Sequence, residues 1–521
     1  MKRAFSIGVL ACTLTMYGGY NQSLRASTDR TSFVVPAADC ADMLLLNIPD
    51  TEMVSATAVP ANGPLPAHCR VVGITHGEPG SNVTVEVRMP NTWNSKLLMT
   101  TRQAYMGLLA PLGNPAISTA LSRFYTTITT DSGHAGANIF DASFGLNNRP
   151  AEIDFGYRGT HLSRVFAQAL TQAYYASGPL YAYYNGCSSS GRYALQSAEH
   201  YPGDFDGIIA GSPALDLSGI VIDENWIAQS QVAAPLPTSK LPVIFNAVMT
   251  ACDGLDGLTD GLIDDPRNCH FDVDSLLCAD GDAPDCLTAP QVATLRRIYE
   301  GAINSAGERL YPGYAFGGEL PDPVGGQGWD AYITNPSPIG VALQDQYLRY
   351  LAFEIDDPAF DWHTFNFDLD PPRMTTMHRI FDPVQDDLTG FSNAGGKMII
   401  YQGWADIAVS PYRTLQYYVG LRNHAGRRAV EDYARLFMVP GMYHCGGGIG
   451  PNTFDALTAL EQWVEHGQAP ASLTATKTAG PGTNRSRPLC PYPQHAIYKG
   501  SGSIDDAANF ECRGAPLGSD K

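Results

Sequence analysis

Short apolar runs that alternate with stretches of helical periodicity constrain this chain more than any other feature. Lys96-Leu97-Leu98-Met99-Thr100, Tyr125 to Thr130, Leu180-Tyr181-Ala182-Tyr183-Tyr184, Ile208-Ile209-Ala210-Gly211, Lys397-Met398-Ile399-Ile400-Tyr401 and Arg435-Leu436-Phe437-Met438-Val439 each have the length and apolar character of a buried strand. Residues 82–90 alternate apolar and polar side chains, as a half-buried strand does. Over 159–177, Leu162, Val165, Phe166, Ala169, Leu170 and Ala173 recur at helical spacing. Further helices are expected over 191–200 and from Phe454 to His466, the latter closed by Gly467, a residue suited to the left-handed C′ position. Strand–helix alternation of this kind predicts an α/β fold with a mostly parallel sheet.

The rhythm breaks from about Leu215 to Gln385, where four cysteines, an Asp/Gly-rich loop, Pro-rich stretches and many aromatics gather. That segment reads as an inserted, irregular domain. The expected divisions are a leader over 1–26, a first core part over 27–214, the insertion over 215–385 and a second core part over 386–521. Lys2 and Arg3 followed by a short apolar run to about Met16 have the layout of a secretory signal. A secreted or periplasmic protein is therefore expected, with lipid anchoring at Cys12 as the minor alternative and no membrane span. With Cys12 set aside, ten cysteines remain: Cys40, Cys69, Cys187, Cys252, Cys269, Cys278, Cys286, Cys445, Cys490 and Cys512. An even number in an exported chain reads as five disulfides, of which 252 with 269 and 278 with 286 look local; sequence does not fix the pairing. The net charge is −19, from 33 Lys and Arg against 52 Asp and Glu. Such an acidic balance argues against a nucleic-acid partner.

Chemistry concentrates in Tyr183-Tyr184-Asn185-Gly186-Cys187-Ser188-Ser189-Ser190-Gly191-Arg192, between an expected strand and an expected helix. This is the setting of a nucleophile elbow, with Ser188 as the nucleophile, Gly186 in its usual place and Ser190 where a glycine is usual. Asp406 follows the strand at 397–401, and His444 follows the strand at 435–439. The order Ser…Asp…His is that of α/β-hydrolases. Ser188 would attack a carbonyl carbon, His444 would carry its proton, and Asp406 would orient the histidine. Cys187 precedes the serine and Cys445 follows the histidine; if they pair, a disulfide joins the two catalytic loops.

The segment Gly186-Cys187-Ser188…Gly191-Arg192, Asp406 in Gly-Trp-Ala-Asp and His444-Cys445 resemble the tannase and feruloyl esterase family. Trp93-Asn94, Thr130-Asp131-Ser132-Gly133-His134, Asp154-Phe155-Gly156-Tyr157-Arg158, Asp204-Phe205-Asp206-Gly207 and Val439-Pro440-Gly441-Met442 match it too, so that the likeness spans about residues 36–515. The resemblance implies an α/β-hydrolase core under a lid, and a secreted serine esterase for esters of aromatic acids of the hydroxycinnamate, gallate or terephthalate-monoester type. It implies the disulfides 40–69, 187–445, 252–269, 278–286 and 490–512. It also implies a structural Ca²⁺, and no organic cofactor, in the loop from Cys252 to Asp265. Its ligands would be the side chains of Asp253, Asp256 and Asp260 with the carbonyls of Leu258 and Leu262. One departure stands out: the family's Gly-rich oxyanion loop reads here Thr101-Arg102-Gln103-Ala104-Tyr105-Met106-Gly107. Any residue but proline donates an amide, so Ser189 with Gln103 or Ala104 is the expected oxyanion hole. Arg102 and Arg349 are candidate partners for a substrate carboxylate, while the aromatics of the insertion are expected mainly to form its own core. The competing readings are a hydrolase of the same fold with another ester or amide preference, and a non-catalytic calcium-stabilised binding protein.

Overall fold

Nine strands make one sheet: β1 (Thr51–Val59), β2 (His68–Thr75), β3 (Val83–Pro90), β4 (Lys96–Met99), β5 (Thr126–Thr130), β6 (Tyr181–Cys187), β7 (Gly207–Gly211), β8 (Lys397–Gly403) and β9 (Ala434–Val439). Their order is β1-β2-β3-β5-β4-β6-β7-β8-β9. The pairs from β5 through β4, β6, β7 and β8 to β9 are parallel, whereas β1, β2, β3 and β5 pair antiparallel. The sheet is thus mostly parallel, as the strand–helix alternation predicts. The computed structural model describes residues 33–514 except Ala137, 323–326, 335–337, Val384 and Pro481. The leader expected over 1–26, with Cys12, lies outside the described residues.

The parallel strands are largely buried because helices cover them. All five residues of β7 are buried, as are Ala182, Tyr183 and Tyr184 of β6. The helix Gly159–Tyr175 turns Phe166, Ala167 and Leu170 into the core, and the helix Ala456–His466 ends at Gly467 with φ +71°. β1 and β2 are strands that the apolar-run pattern does not reveal. Register brings the site together: Cys187 at the end of β6 pairs with Gly211, Gly211 with Tyr401 of β8, and Gly403 with Val439 of β9. The loops that leave β6, β8 and β9 therefore emerge at one edge of the sheet.

Between β7 and β8 no described residue joins the sheet. The chain there forms helices, chiefly Leu217–Ala233, Leu241–Cys252, Ala289–Glu300 and Ile339–Tyr350. Trp329 belongs to an apolar cluster built from this segment and Ile407, whereas Tyr347 and Phe353 pack into the main core. The five disulfides join Cys40 to Cys69, Cys187 to Cys445, Cys252 to Cys269, Cys278 to Cys286 and Cys490 to Cys512.

Candidate active site

Ser188 sits between β6 and the helix Ser189–His200 at φ +64°, ψ −129°, a conformation that costs a non-glycine residue free energy. The turn is held by tight neighbours. A Cβ on Gly186 would lie 2.6 Å from the Ser190 carbonyl carbon, and one on Gly191 would lie 2.8 Å from the Gly211 oxygen. Those contacts require glycine at both positions and force the serine hydroxyl outward.

His444 Nε2 stands 2.9 Å from Ser188 Oγ, and His444 Nδ1 stands 3.0 Å from Asp406 Oδ2. Asp406 is buried, and its carboxylate is fixed from three more sides. Its Oδ1 accepts the Ala408 and Val409 amides, each at 2.9 Å, and its Oδ2 accepts Gln402 Nε2 at 2.9 Å. Gln402 is itself fixed by Thr414, whose hydroxyl donates to Gln402 Oε1 at 2.9 Å. A buried carboxylate with this many donors keeps one orientation and, with it, one imidazole orientation. Gln402 and Thr414 are functional neighbours that sequence reading missed; their only signal is position on β8 and the following helix.

The Cys187–Cys445 bridge ties the serine turn to the histidine loop across 258 residues, with Cα atoms 5.9 Å apart. Cys445 takes φ +65°, and its amide donates to Ser212 Oγ at 3.4 Å. Both residues beside the catalytic pair are thus anchored.

Ser190, the departure from the usual glycine, is fully buried and has a partner in the other departure. Its Oγ accepts the Thr101 amide at 3.2 Å and the Thr101 hydroxyl at 2.9 Å, with Tyr184 OH 3.3 Å away. The altered oxyanion loop is therefore bonded at its first residue to the elbow helix. Farther along, the Tyr105 amide donates to the Ile139 oxygen at 3.3 Å, and Ala104 takes φ +51°. Gln103 Nε2 lies 3.7 Å from Cys445 Sγ, which places the loop beside the disulfide.

Each of the two candidate arginines has a partner within its own segment. Arg349 Nε donates to Asp345 at 2.9 Å and its Nη1 to the Pro358 oxygen at 3.0 Å. Arg102 Nε lies 2.8 Å from Met106 Sδ within its own loop.

In the acidic loop, Asp256, Leu258, Asp260, Leu262 and Asp264 line a cavity of about 20 Å³, room for a single ion or water. Burial and the carboxylates of Asp256, Asp265 and Asp260 push Asp264 up to about 7. Burial likewise lifts Asp256 to about 6, with Asp260 and Asp253 adding to it. The Asp253 carboxylate accepts the amides of Asp260 and Gly261 at 3.1 Å. Asp264, two positions past Leu262 and absent from the expected ligands, also lines the wall. Arg487 ion-pairs with Asp260 at the same place.

Among the described residues, Asp216, His378 and Asp382 bring three potential ligand atoms within 4.8 Å of one another. Their lone pairs are engaged. Asp216 accepts Gly219 N at 2.9 Å and Arg413 Nε at 2.8 Å, while Asp382 accepts Leu217 N at 2.6 Å and lies 2.7 Å from His378 Nδ1. With an arginine already in contact, the group is an ion-pair knot at the start of the helix Leu217–Ala233.

A family model described as tannase and feruloyl esterase matches residues 69–513. An uncharacterised esterase of Xanthomonas campestris is 35% identical, over 99% of this chain and 97% of its own length. A mono(2-hydroxyethyl) terephthalate hydrolase of Piscinibacter sakaiensis is 32% identical, over 89% of this chain and 87% of its own. The crystal structure of feruloyl esterase B from Aspergillus oryzae superposes with a TM-score of 0.81 at 26% identity, covering 91% of this chain and 99% of that one. Among the described residues no helix is long and apolar enough to cross a membrane.

Proposed function

Because the chain belongs to the tannase and feruloyl esterase family, and is thereby a carboxylic ester hydrolase, we propose that it cleaves esters of aromatic acids through an acyl-enzyme on Ser188. The observation that carries this reading is the Ser188–His444–Asp406 relay, with spacings of 2.9 and 3.0 Å on a strained turn. Ser188 Oγ attacks the ester carbonyl carbon as its proton passes to His444 Nε2. The oxygen that becomes negative is held by the amides of Ser189 and of Gln103 or Ala104. Collapse breaks the C–O bond, and His444 returns the proton to the departing alcohol. A water molecule then repeats the sequence on the acyl-enzyme, with His444 as base, and releases the acid. Asp406 holds the imidazole orientation and offsets its positive charge.

The insertion over 215–385 is the proposed lid. Calcium is the proposed structural ion. Asp253, Asp256 and Asp260, with the carbonyls of Leu258 and Leu262, would hold it, and Asp264 stands on the same cavity wall. Several carboxylates around one small cavity fit a hard divalent cation that takes oxygen ligands, because its charge removes their mutual repulsion. Export is proposed on the five disulfides, which persist in oxidising compartments.

The test is a panel of methyl ferulate, methyl gallate and mono(2-hydroxyethyl) terephthalate, with Ser188→Ala as control. Hydrolysis of at least one ester by the wild type, lost by several orders of magnitude in the variant, is expected. Undiminished activity in Ser188→Ala sinks the mechanism.

A further inference from the structure

A cavity of about 340 Å³ lies in the inserted segment. One face of the helix Leu217–Ala233 walls it, with Leu236, Tyr314, Tyr332, Val341 and Ile407 around the rest. Ile407 directly follows Asp406. Burial keeps the phenols of Tyr314 and Tyr332 protonated, and the Asp406 carboxylate adds to the effect. The cavity wall thus includes the residue that follows Asp406 in the chain. Its size suits an aromatic acyl group.

The lining is apolar and aromatic save for a few polar groups, and two of these are committed. Gln231 Oε1 accepts the Leu236 amide at 2.7 Å, and the Thr334 hydroxyl pairs with Thr238 at 2.7 Å. Glu224 is not, and neither are the phenols of Tyr314 and Tyr332. Glu224 is 8% exposed, and its Oε2 meets no hydrogen-bond partner among the described residues. Gly340, on the facing helix, leaves it room: a Cβ there would stand 3.4 Å from Glu224 Oε1. No lysine or arginine lines the cavity among the described residues. Burial, reinforced by neighbouring Asp223, pushes Glu224 well above the usual carboxylate range. A neutral carboxyl group has an O–H to donate, and an unused donor in an apolar pocket selects a ligand that can accept from it.

We propose that Glu224 is a specificity-determining residue, its carboxyl group donating to a hydroxyl oxygen on the ring of an aromatic acyl group in this cavity. The chain then selects esters of hydroxylated aromatic acids over esters of aromatic dicarboxylic acids. A free ring carboxylate would meet an acid there and no cation, and a bare ring would leave the Glu224 group unpaired. This inference rests on the reading of Ser188 as an esterase nucleophile.

The experiment compares kcat/KM for methyl p-coumarate, methyl cinnamate and mono(2-hydroxyethyl) terephthalate, with p-nitrophenyl acetate as an ester whose acyl group carries no ring. The first two differ by one hydroxyl. The wild type is expected to favour the coumarate over the cinnamate by about tenfold or more, and both over the terephthalate monoester. Glu224→Leu is expected to bring the first ratio to about one. Glu224→Gln, whose amide is neutral and still donates, is expected to keep most of it. A wild-type ratio near one, a preference for the terephthalate monoester, or an unchanged ratio in Glu224→Leu overturns the inference. Should Glu224→Leu fail to fold, loss of the ratio in Glu224→Gln overturns the donor role by itself. Hydrolysis of p-nitrophenyl acetate alone overturns this inference while Ser188 stands as nucleophile; no hydrolysis of any of the four brings down the esterase reading.

Discussion

Replacing Ser190 by glycine restores the residue usual at that place in a nucleophile elbow, so comparison with the motif alone predicts a neutral or improved enzyme. The structure predicts the opposite. Ser190 is 1% exposed, and its Oγ is the acceptor for the Thr101 amide at 3.2 Å and the Thr101 hydroxyl at 2.9 Å. Without that oxygen, the Thr101 hydroxyl and Tyr184 OH keep each other, 3.2 Å apart. The Thr101 amide keeps nothing. A buried donor left unpaired costs about 1–3 kcal/mol, and glycine within a helix adds up to about 1 kcal/mol more. Ser190→Gly should therefore lose about 2–4 kcal/mol of stability. Thr101→Val alone should cost about 1 kcal/mol, because Ser190 Oγ retains the amide and Tyr184. The double variant should cost about 1 kcal/mol more than the sum, since Tyr184 OH then loses both neighbours. Because Thr101 opens the loop that carries the Gln103 and Ala104 amides, kcat should fall by about tenfold in Ser190→Gly, with KM little changed. Thermal melting with steady-state kinetics on a methyl hydroxycinnamate reads both effects. A Ser190→Gly protein as stable as the wild type, or faster, refutes the coupling of the two departures.

Dialysis against a chelator should lower the melting temperature by several degrees, and added Ca²⁺ should restore it, with Asp260→Asn abolishing the response; a melting temperature indifferent to both ends the calcium reading. Replacing Cys187 and Cys445 together by alanine should lower kcat well below the melting temperature, because the serine and histidine loops lose their tether; unchanged kcat there means that packing alone holds the register. Glu224 is raised well above 4.5 in the fold, with Asp223, Tyr314 and Tyr332 around it. Above pH 4.5 the unfolded chain has lost this proton and the folded chain keeps it, so stability falls with rising pH by up to about 1.4 kcal/mol per unit. Glu224→Gln lacks that slope, and its melting temperature relative to the wild type should climb between pH 5 and 8; a constant difference contradicts a neutral Glu224.

The parallel strands were legible because each is an apolar run bounded by turns, and Asp406 and His444 because each follows such a run. β1 escaped notice since Thr51–Val59 carries small and polar residues on an edge whose side chains are largely exposed. The contact of Ser190 with Thr101 joins residues 89 apart, and no local pattern encodes a partner at that distance. Glu224 was hidden for another reason. It lies in the stretch that reads only as an irregular insertion, whereas Leu217–Ala233 is a helix buried nearly all round.

The central claim is a covalent acyl group on Ser188, and pre-steady-state mixing with p-nitrophenyl ferulate tests it most directly. The account predicts a burst of about one p-nitrophenolate per enzyme, with the feruloyl mass mapped to the peptide holding Ser188 and no burst from Ser188→Ala. A burst that survives in Ser188→Ala, or an acyl group mapped to another residue, contradicts it.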